Sequence, residues 1–213
     1  KFGYQTSNLN FSIIQNFSGS LDSSYFGTSA STSTIHIQNW NHSLFAQSNY
    51  QPTDLISIQG GIRTDYWNFT DKLTVDPRFS IRYLFQENIA LKFGWGIFHQ
   101  NIRTISDPNF TFFDIWIPSD STVPITRAVH YILSLETTPL KGISLNFDVY
   151  YKTLNDISQM NQTALQGTTA RDVLYVGSGK TYGFEVFAQK KFGKFTGWLG
   201  YAYGVIKYKF DSL

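Results

Sequence analysis

The chain has 213 residues, a formal net charge of +2, 15% charged residues, 17% aromatic residues and no cysteine. So balanced a charge implies no polyanionic partner such as nucleic acid, and the missing cysteine removes disulfide frameworks, thiol nucleophiles and cysteine metal sites. Charged residues fall below the roughly 25% of soluble domains, and no run approaches the ~18 apolar residues of a membrane helix.

Few charges, many aromatics and no spanning helix suit an outer-membrane β-barrel, whose strands are apolar on one side only. A soluble β-sandwich is the alternative. The chain starts at Lys1 rather than Met and shows no signal peptide, so the expectation is a segment of a longer protein.

In chain order, about nine strands are expected. The first, roughly 2–17, is weakly patterned, and the Ser/Thr/Gly-rich stretch 19–34 reads as a loop. A second strand covers about 35–50 and ends at the turn Gln51-Pro52-Thr53-Asp54, where the proline ill suits a central strand. The third, 55–67, sets Ile56, Ile58 and Ile62 against Ser57, Gln59, Arg63 and Asp65. The stretch 77–100 is the clearest hairpin. Phe79, Ile81, Tyr83 and Phe85 alternate with Arg78, Ser80 and Arg82, and after the turn at 86–88 Leu91, Phe93, Trp95 and Ile97 alternate with Lys92, Gly94 and Gly96. A period of two places each set on its own face of a sheet.

A long segment, 101–126, reads as a loop. The sixth strand alternates Val129, Tyr131, Leu133 and Leu135 with His130, Ser134 and Glu136, and the turn 137–142 leads to a seventh, where Leu145, Phe147, Val149 and Tyr151 oppose Asn146, Asp148 and Lys152. Another long loop, 155–176, precedes the eighth strand, with Tyr182, Phe184 and Val186 against Gly183 and Glu185. The turn at 192–194 and a last strand near 198–205 complete the pattern.

The connections alternate too. Those at 51–54, 86–88, 137–142 and 191–194 are short, and those at 18–34, 68–76, 101–126 and 155–176 are longer. Short turns at one end and long loops at the other mark an up-and-down transmembrane barrel, whereas Greek-key crossings would not sort loops by parity. The expected fold is therefore all-β, an antiparallel up-and-down transmembrane barrel segment of about nine strands, too few to close a wide barrel.

At this point the residues resemble the TonB-dependent receptors of the Gram-negative outer membrane. NHSLFAQSNYQPTDLISIQGGIRTDYW (41–67) is similar to their barrel hairpin ending in Gly-x-Arg. PRFSIRYLF with GWGIFHQ, DIWIPSD with ITRAVHYILSLE, NFDVYYKTLNDI, and GSGKTYGFEVFAQKKFGKFTGWLGYAYG follow in the same order. The resemblance implies one barrel domain over residues 1–213, with an N-terminal plug inside a barrel of about 22 strands. It also implies nutrient import energised through TonB. The plug, the TonB-binding segment and the closing strands are expected outside this stretch. Implied partners are outer-membrane lipid, the plug, TonB through that missing part, and a scarce nutrient: a siderophore, cobalamin, an oligosaccharide or a peptide. A passive porin and a secreted adhesive sandwich are the other readings.

Other motifs carry less. Gly177-Ser178-Gly179-Lys180-Thr181 suggests a phosphate-binding loop, but the leading glycine position is Leu174 and TYGFEVFAQ alternates as a strand, not a helix. His36, His42, His99 and His130 show no metal-ligand spacing. No nucleophile elbow or acid pair marks an enzyme, and no cofactor is expected.

The best candidate for ligand contact is the 101–126 loop, with Phe110, Phe112, Phe113 and Trp116 interleaved with Asp107, Asp114 and Asp120. Rings that stack and carboxylates that accept hydrogen bonds suit a ligand at a barrel mouth; packing of the loop on its neighbours, or a place in the interfacial girdle, is the alternative. Arg63, Asp65, Arg78, Arg82, Lys92, Glu136, Asp148 and Glu185 share the polar face, where they either meet the plug or pair across strands.

Overall fold

The structure, a computed structural model, describes residues 1–17, 31–107, 110–120, 123–160 and 174–210. Among these it describes all side chains except those at 11–17, 31–37, 105–115, 117 and 160. Eleven strands follow one another: β1 Phe2–Phe17, β2 Ser31–Thr53, β3 Ile56–Trp67, β4 Lys72–Gln86, β5 Ile89–Gln100, β6 Ile102–Asp107, β7 Phe110–Pro118, β8 Thr126–Leu140, β9 Ile143–Met160, β10 Leu174–Lys190 and β11 Gly197–Phe210.

Nine of them form one antiparallel sheet in the order β1-β2-β3-β4-β5-β8-β9-β10-β11, and β6 pairs with β7 as a separate hairpin. Each strand in the large sheet lies beside its predecessor, with the hairpin as the single insertion. There is no crossing of the kind a Greek-key sandwich needs, and β1 and β11 do not pair with each other. The fold is an unclosed stretch of up-and-down barrel.

The two faces follow from period-two alternation combined with register. Ile58, Ile81, Phe93, Leu133 and Val149 are in-register neighbours on successive strands, and Phe93, Leu133 and Val149 are exposed. Aromatics bracket this apolar band. Tyr131, Tyr151 and Tyr182 lie toward the long-connection end, and Tyr83, Phe85 and Phe147 toward the short-turn end. Two aromatic girdles around an exposed apolar band are what a lipid-facing barrel wall requires. The opposite face carries Arg63, Asp65, Asp76, Arg78, Arg82, Lys92 and Glu136.

The expected connections shorten in the structure. The 68–76 loop reduces to a four-residue turn, since β4 starts at Lys72. That turn is held by Asp71 in a left-handed conformation (φ 53°) and by the Tyr66 hydroxyl donating to Asp71 Oδ1 at 2.5 Å. β4 begins earlier than the pattern around Pro77 suggests because Leu73 and Val75 already alternate with Thr74 and Asp76. β2, β9 and β10 likewise extend into the stretches read as the loops 18–34 and 155–176. The largest correction is 101–126, which is a hairpin with its own ladder rather than an open loop.

Candidate functional site

The polar face is organised around the β2–β3–β4 junction. Arg63 sits two residues from Asp65 on one strand, so both point to the same side, and the guanidinium donates to Asp65 through Nε at 2.8 Å and Nη2 at 2.9 Å. Arg63 Nη2 also donates to Ser43 Oγ at 2.7 Å, while Asn41 Nδ2 and the Ser43 hydroxyl donate to Asp65 Oδ1. Ser43 is the register partner of Asp65, which is why its short side chain reaches. A bidentate, forked pair with every near donor engaged is rigid.

Farther along β4, Pro77 supplies no N–H, and the β4–β5 ladder stops at Arg78↔Gly96. Asp76 takes over the join: the His99 backbone N–H donates to its Oδ2 at 3.3 Å, and His99 Nδ1 lies 2.5 Å from its Oδ1. Arg78 lies over the Phe98 ring at 4.6 Å. Between these groups the wall holds a cavity of about 370 Å³, lined in part by Arg63, Asp65, Trp67, Asp76, Arg78 and His99.

The second charged group joins Arg82, Lys92 and Glu136 from three adjacent strands. Lys92 donates to Glu136 Oε1, and Arg82 Nε lies 4.0 Å from Oε2. Asp148 and Glu185 do not pair with cations among the described residues; they face one another in register on β9 and β10. On the same face Gly94 is bare, with no atom within 4 Å of where a Cβ would stand.

The hairpin is tied down at its root. Trp67, 1% exposed, donates its indole N–H to Ser119 O at 3.0 Å. Arg103, 6% exposed, donates through Nη1 to Asp156 O at 3.1 Å and to Ser158 Oγ. Its Nη2 reaches Ser119 Oγ at 3.2 Å and Pro124 O. Asp156 exposes that carbonyl because it is an extra residue, in a left-handed conformation (φ 58°), where the β9–β10 register shifts. Burial lowers the Arg103 pKa, opposed by nearby Asp156. Val123 and Ile125 are buried beside this anchor. One residue, Arg103, thus links the hairpin root to β9, while Trp67 links the same root to β3.

Of the expected ligand-contact residues, Trp116 is 57% exposed on β7. Asp107, Phe110, Phe112, Phe113 and Asp114 belong to the hairpin backbone, and their side chains lie outside the described residues. Sequence reading overlooked Asp76 and weighed His99 only as a metal ligand, and it overlooked Trp67 and Arg103. The Asp76-Pro77 step was the available signal for the first two, and the latter pair form only by tertiary contact. Among the described residues no group of three or more His, Asp or Glu could hold a metal ion.

The arrangement is a wall with a prepared polar face and a surface hairpin, and comparison with known proteins agrees. No curated protein sequence matches this chain. Among solved structures it is similar to the outer membrane transporter YddB from Escherichia coli (TM-score 0.68, 10% identity, 97% of this chain, 30% of that one). It also resembles the siderophore receptor PirA from Pseudomonas aeruginosa (0.63, 11%, 95% and 43%) and the FrpB iron transporter from Neisseria meningitidis (0.62, 15%, 83% and 27%). The chain therefore spans between about a quarter and under half of the structures it matches. A family model described as TonB dependent receptor-like, beta-barrel, matches residues 1–212. The chain belongs to the TonB-dependent receptor β-barrel family of the bacterial outer membrane.

Proposed function

We propose that this segment is part of the wall of a receptor that binds a scarce nutrient outside the cell and imports it to the periplasm with energy relayed from TonB. The observation that carries the reading is the division of one sheet into an exposed aromatic face and a face of ordered charge. A wall between lipid and an occupied lumen needs both. On this reading the polar face, with Arg63, Asp65, Arg78, Arg82, Lys92, Glu136, Asp148 and Glu185, looks onto a plug domain supplied by the rest of the chain. Further strands close the barrel. The long connections face outward, opposite the short turns.

The anchored hairpin is the proposed capture element. Trp116 is exposed, and Phe110, Phe112, Phe113, Asp107 and Asp114 belong to the same two paired strands, which rise from a fixed root. Aromatic side chains bury large area at low entropic cost on meeting a ligand. The relatives' own cargoes, iron, siderophore and, for the RagAB importer, peptide, indicate the class of nutrient to try first.

The test is growth of the source bacterium on single nutrient sources: iron chelates, cobalamin, peptides and oligosaccharides. Deleting the gene abolishes growth on one of them at limiting concentration, and deleting TonB does the same. Replacing Phe112, Phe113 and Trp116 with Ala in the full-length receptor weakens binding of that nutrient at least tenfold, about 1.4 kcal/mol. Growth that survives loss of TonB indicates a passive porin instead. Unchanged affinity in a well-inserted triple variant leaves the rings as packing.

A further inference from the structure

A seam runs through the wall between β4 and β5. The ladder that joins these strands ends at the Arg78–Gly96 rung. From there toward the long-connection end, residues 72–77 pair only with β3 and residues 97–100 only with β8. A strand inside a sheet ordinarily bonds to a neighbour on each side, and Pro77 has no N–H to give. Both lips of the seam lie within the sheet and are paired on their far sides, so neither is an edge of the chain.

Above the last rung the seam divides the wall into two leaves, β1–β4 and β5–β11. The hairpin belongs to the second leaf. β5 runs through Asn101 into β6, and Arg103 fixes β6 to β9. The described hydrogen bonds that cross the seam each use a side chain. His99 gives its backbone N–H to Asp76 Oδ2 at 3.3 Å and places Nδ1 2.5 Å from Oδ1, while Trp67 of the first leaf donates to Ser119 O of the second at 3.0 Å. The cavity of about 370 Å³ is lined from both leaves, by Asn41, Trp67 and Asp76 on one side and His99 and Asn101 on the other.

Closing the seam strands polar atoms. Asn41 Oδ1 and Asn101 Oδ1, one from each leaf, are buried without a hydrogen-bond partner among the described residues, and so is Arg103 Nε. Asn39, two residues before Asn41 on the same face of β2 and 1% exposed, has neither amide atom paired. Each forgoes hydration that it regains when water enters. The side-chain bonds favour the shut arrangement and the stranded amides favour the open one. Opposing terms of this kind bring a local opening within reach of the native state.

We propose that the upper wall is a hinge. Above the Arg78–Gly96 rung the two leaves part and rejoin, with the Asp76–His99 joint and the Trp67–Ser119 bond acting as one coupled catch. Opening lets water reach Asn41 and Asn101, and the hairpin swings with the β5 leaf away from β3. The hinge goes beyond the transport reading and requires no particular nutrient.

The test is hydrogen exchange in the full-length receptor in lipid. Asp76→Ala, which removes one half of the catch, speeds exchange of the Trp67 indole N–H by about tenfold or more. Trp67→Phe speeds exchange of the His99 amide by a similar factor, because coupling between two contacts is reciprocal. Amides bonded in the β4–β5 ladder below the hinge keep their rates in both variants. Nitroxides at Lys72 and Thr104, exposed and on opposite leaves, give a second reading that does not depend on removing Asp76. Pulsed electron paramagnetic resonance finds two separations, and Trp67→Phe enriches the longer by about threefold or more. Unchanged exchange at Trp67 in the Asp76→Ala variant makes the two contacts independent and overturns the coupled catch. A single separation that Trp67→Phe does not shift overturns the hinge, as does exchange that quickens equally above and below the Arg78–Gly96 rung.

Discussion

Replacing Arg103 with Met should free the hairpin root without unfolding the wall. Arg103 donates to four acceptors, Asp156 O, Ser158 Oγ, Ser119 Oγ and Pro124 O. Hydrogen bonds from a charged donor contribute about 1.5–3 kcal/mol each. Methionine fills similar space and removes the cost of holding a cation out of water, which offsets much of that sum. A net local loss of about 2–4 kcal/mol remains, because the stranded acceptors are partly buried. The reporters are the Trp67 indole N–H, bonded to Ser119 O at 3.0 Å, and the Ser119 amide, bonded to Asn101 O at 2.7 Å. Hydrogen exchange of both in the intact receptor should quicken by about 30- to 900-fold, at 1.36 kcal/mol per decade. Exchange within the β3–β4 ladder and the global melting temperature should hardly change. Arg103→Lys should fall between, since one nitrogen cannot reach β9 and the 119–124 segment at once as the guanidinium fork does. Unaltered exchange at Trp67 in the Met variant would refute the anchor, and a collapse of global stability would show that the root supports the whole wall.

Three further outcomes follow from the faces and their contacts. Lys at Phe93 or Phe147, both exposed on the apolar face, should cost about 2–4 kcal/mol in lipid, whereas Lys at Gly94, where nothing lies within 4 Å of a Cβ, should be milder; unfolding of the intact barrel in bilayers measures both. Gly183→Ala should destabilise by about 1–3 kcal/mol, because its Cβ would meet Tyr203 O at 2.1 Å and Tyr150 Oη at 2.7 Å, while Gly94→Ala should be neutral in the same assay. A double-mutant cycle on Lys92 and Glu136, side chains 39% and 32% exposed, should give no more than about 1 kcal/mol, well below a cycle on the more enclosed Arg63 and Asp65.

Most of the wall was legible because a period of two leaves a direct trace in the sequence. Each strand expected in the sheet is there, and Arg63, Arg78, Arg82, Lys92 and Glu136 share the face that alternation gave them. What alternation cannot reveal is where a strand continues past a proline or into polar residues. Leu73 and Val75 were read as loop although they extend β4, since Asp76-Pro77 imitates a turn signal. The β6–β7 hairpin was hidden for a related reason. TISDPNFTFF mixes turn residues with aromatics, and its pairing is fixed by register rather than composition. Arg103 was illegible in principle. Its partners come from β9 and from 119–124, so nothing within its own window marks it.

Two like-charge pairs on β10, without an ion-pair partner among the described residues, are sorted by face, and on the proposed reading this bears on what surrounds the wall. On the polar side Glu185 stands opposite Asp148; on the apolar side, five residues away, Lys180 stands opposite Lys207. Both are like-charge pairs, and cross-strand repulsion should select against each of them in an isolated sheet. On the proposed reading neither face is isolated. A barrel lumen filled by another domain can bring a cation to the carboxylates, and a leaflet of phosphorylated lipids brings anions to the lysines. The two pairs should respond to different additions. Glu185→Gln should stabilise the barrel when the plug is removed and lose that benefit when it is present, whereas Lys207→Gln should be indifferent to the plug and sensitive to lipid phosphate. A melting series on full-length and plug-deleted receptor, each with and without phosphorylated lipid, separates them. If both variants respond to the same addition, the sorting of charge by face does not reflect two partners.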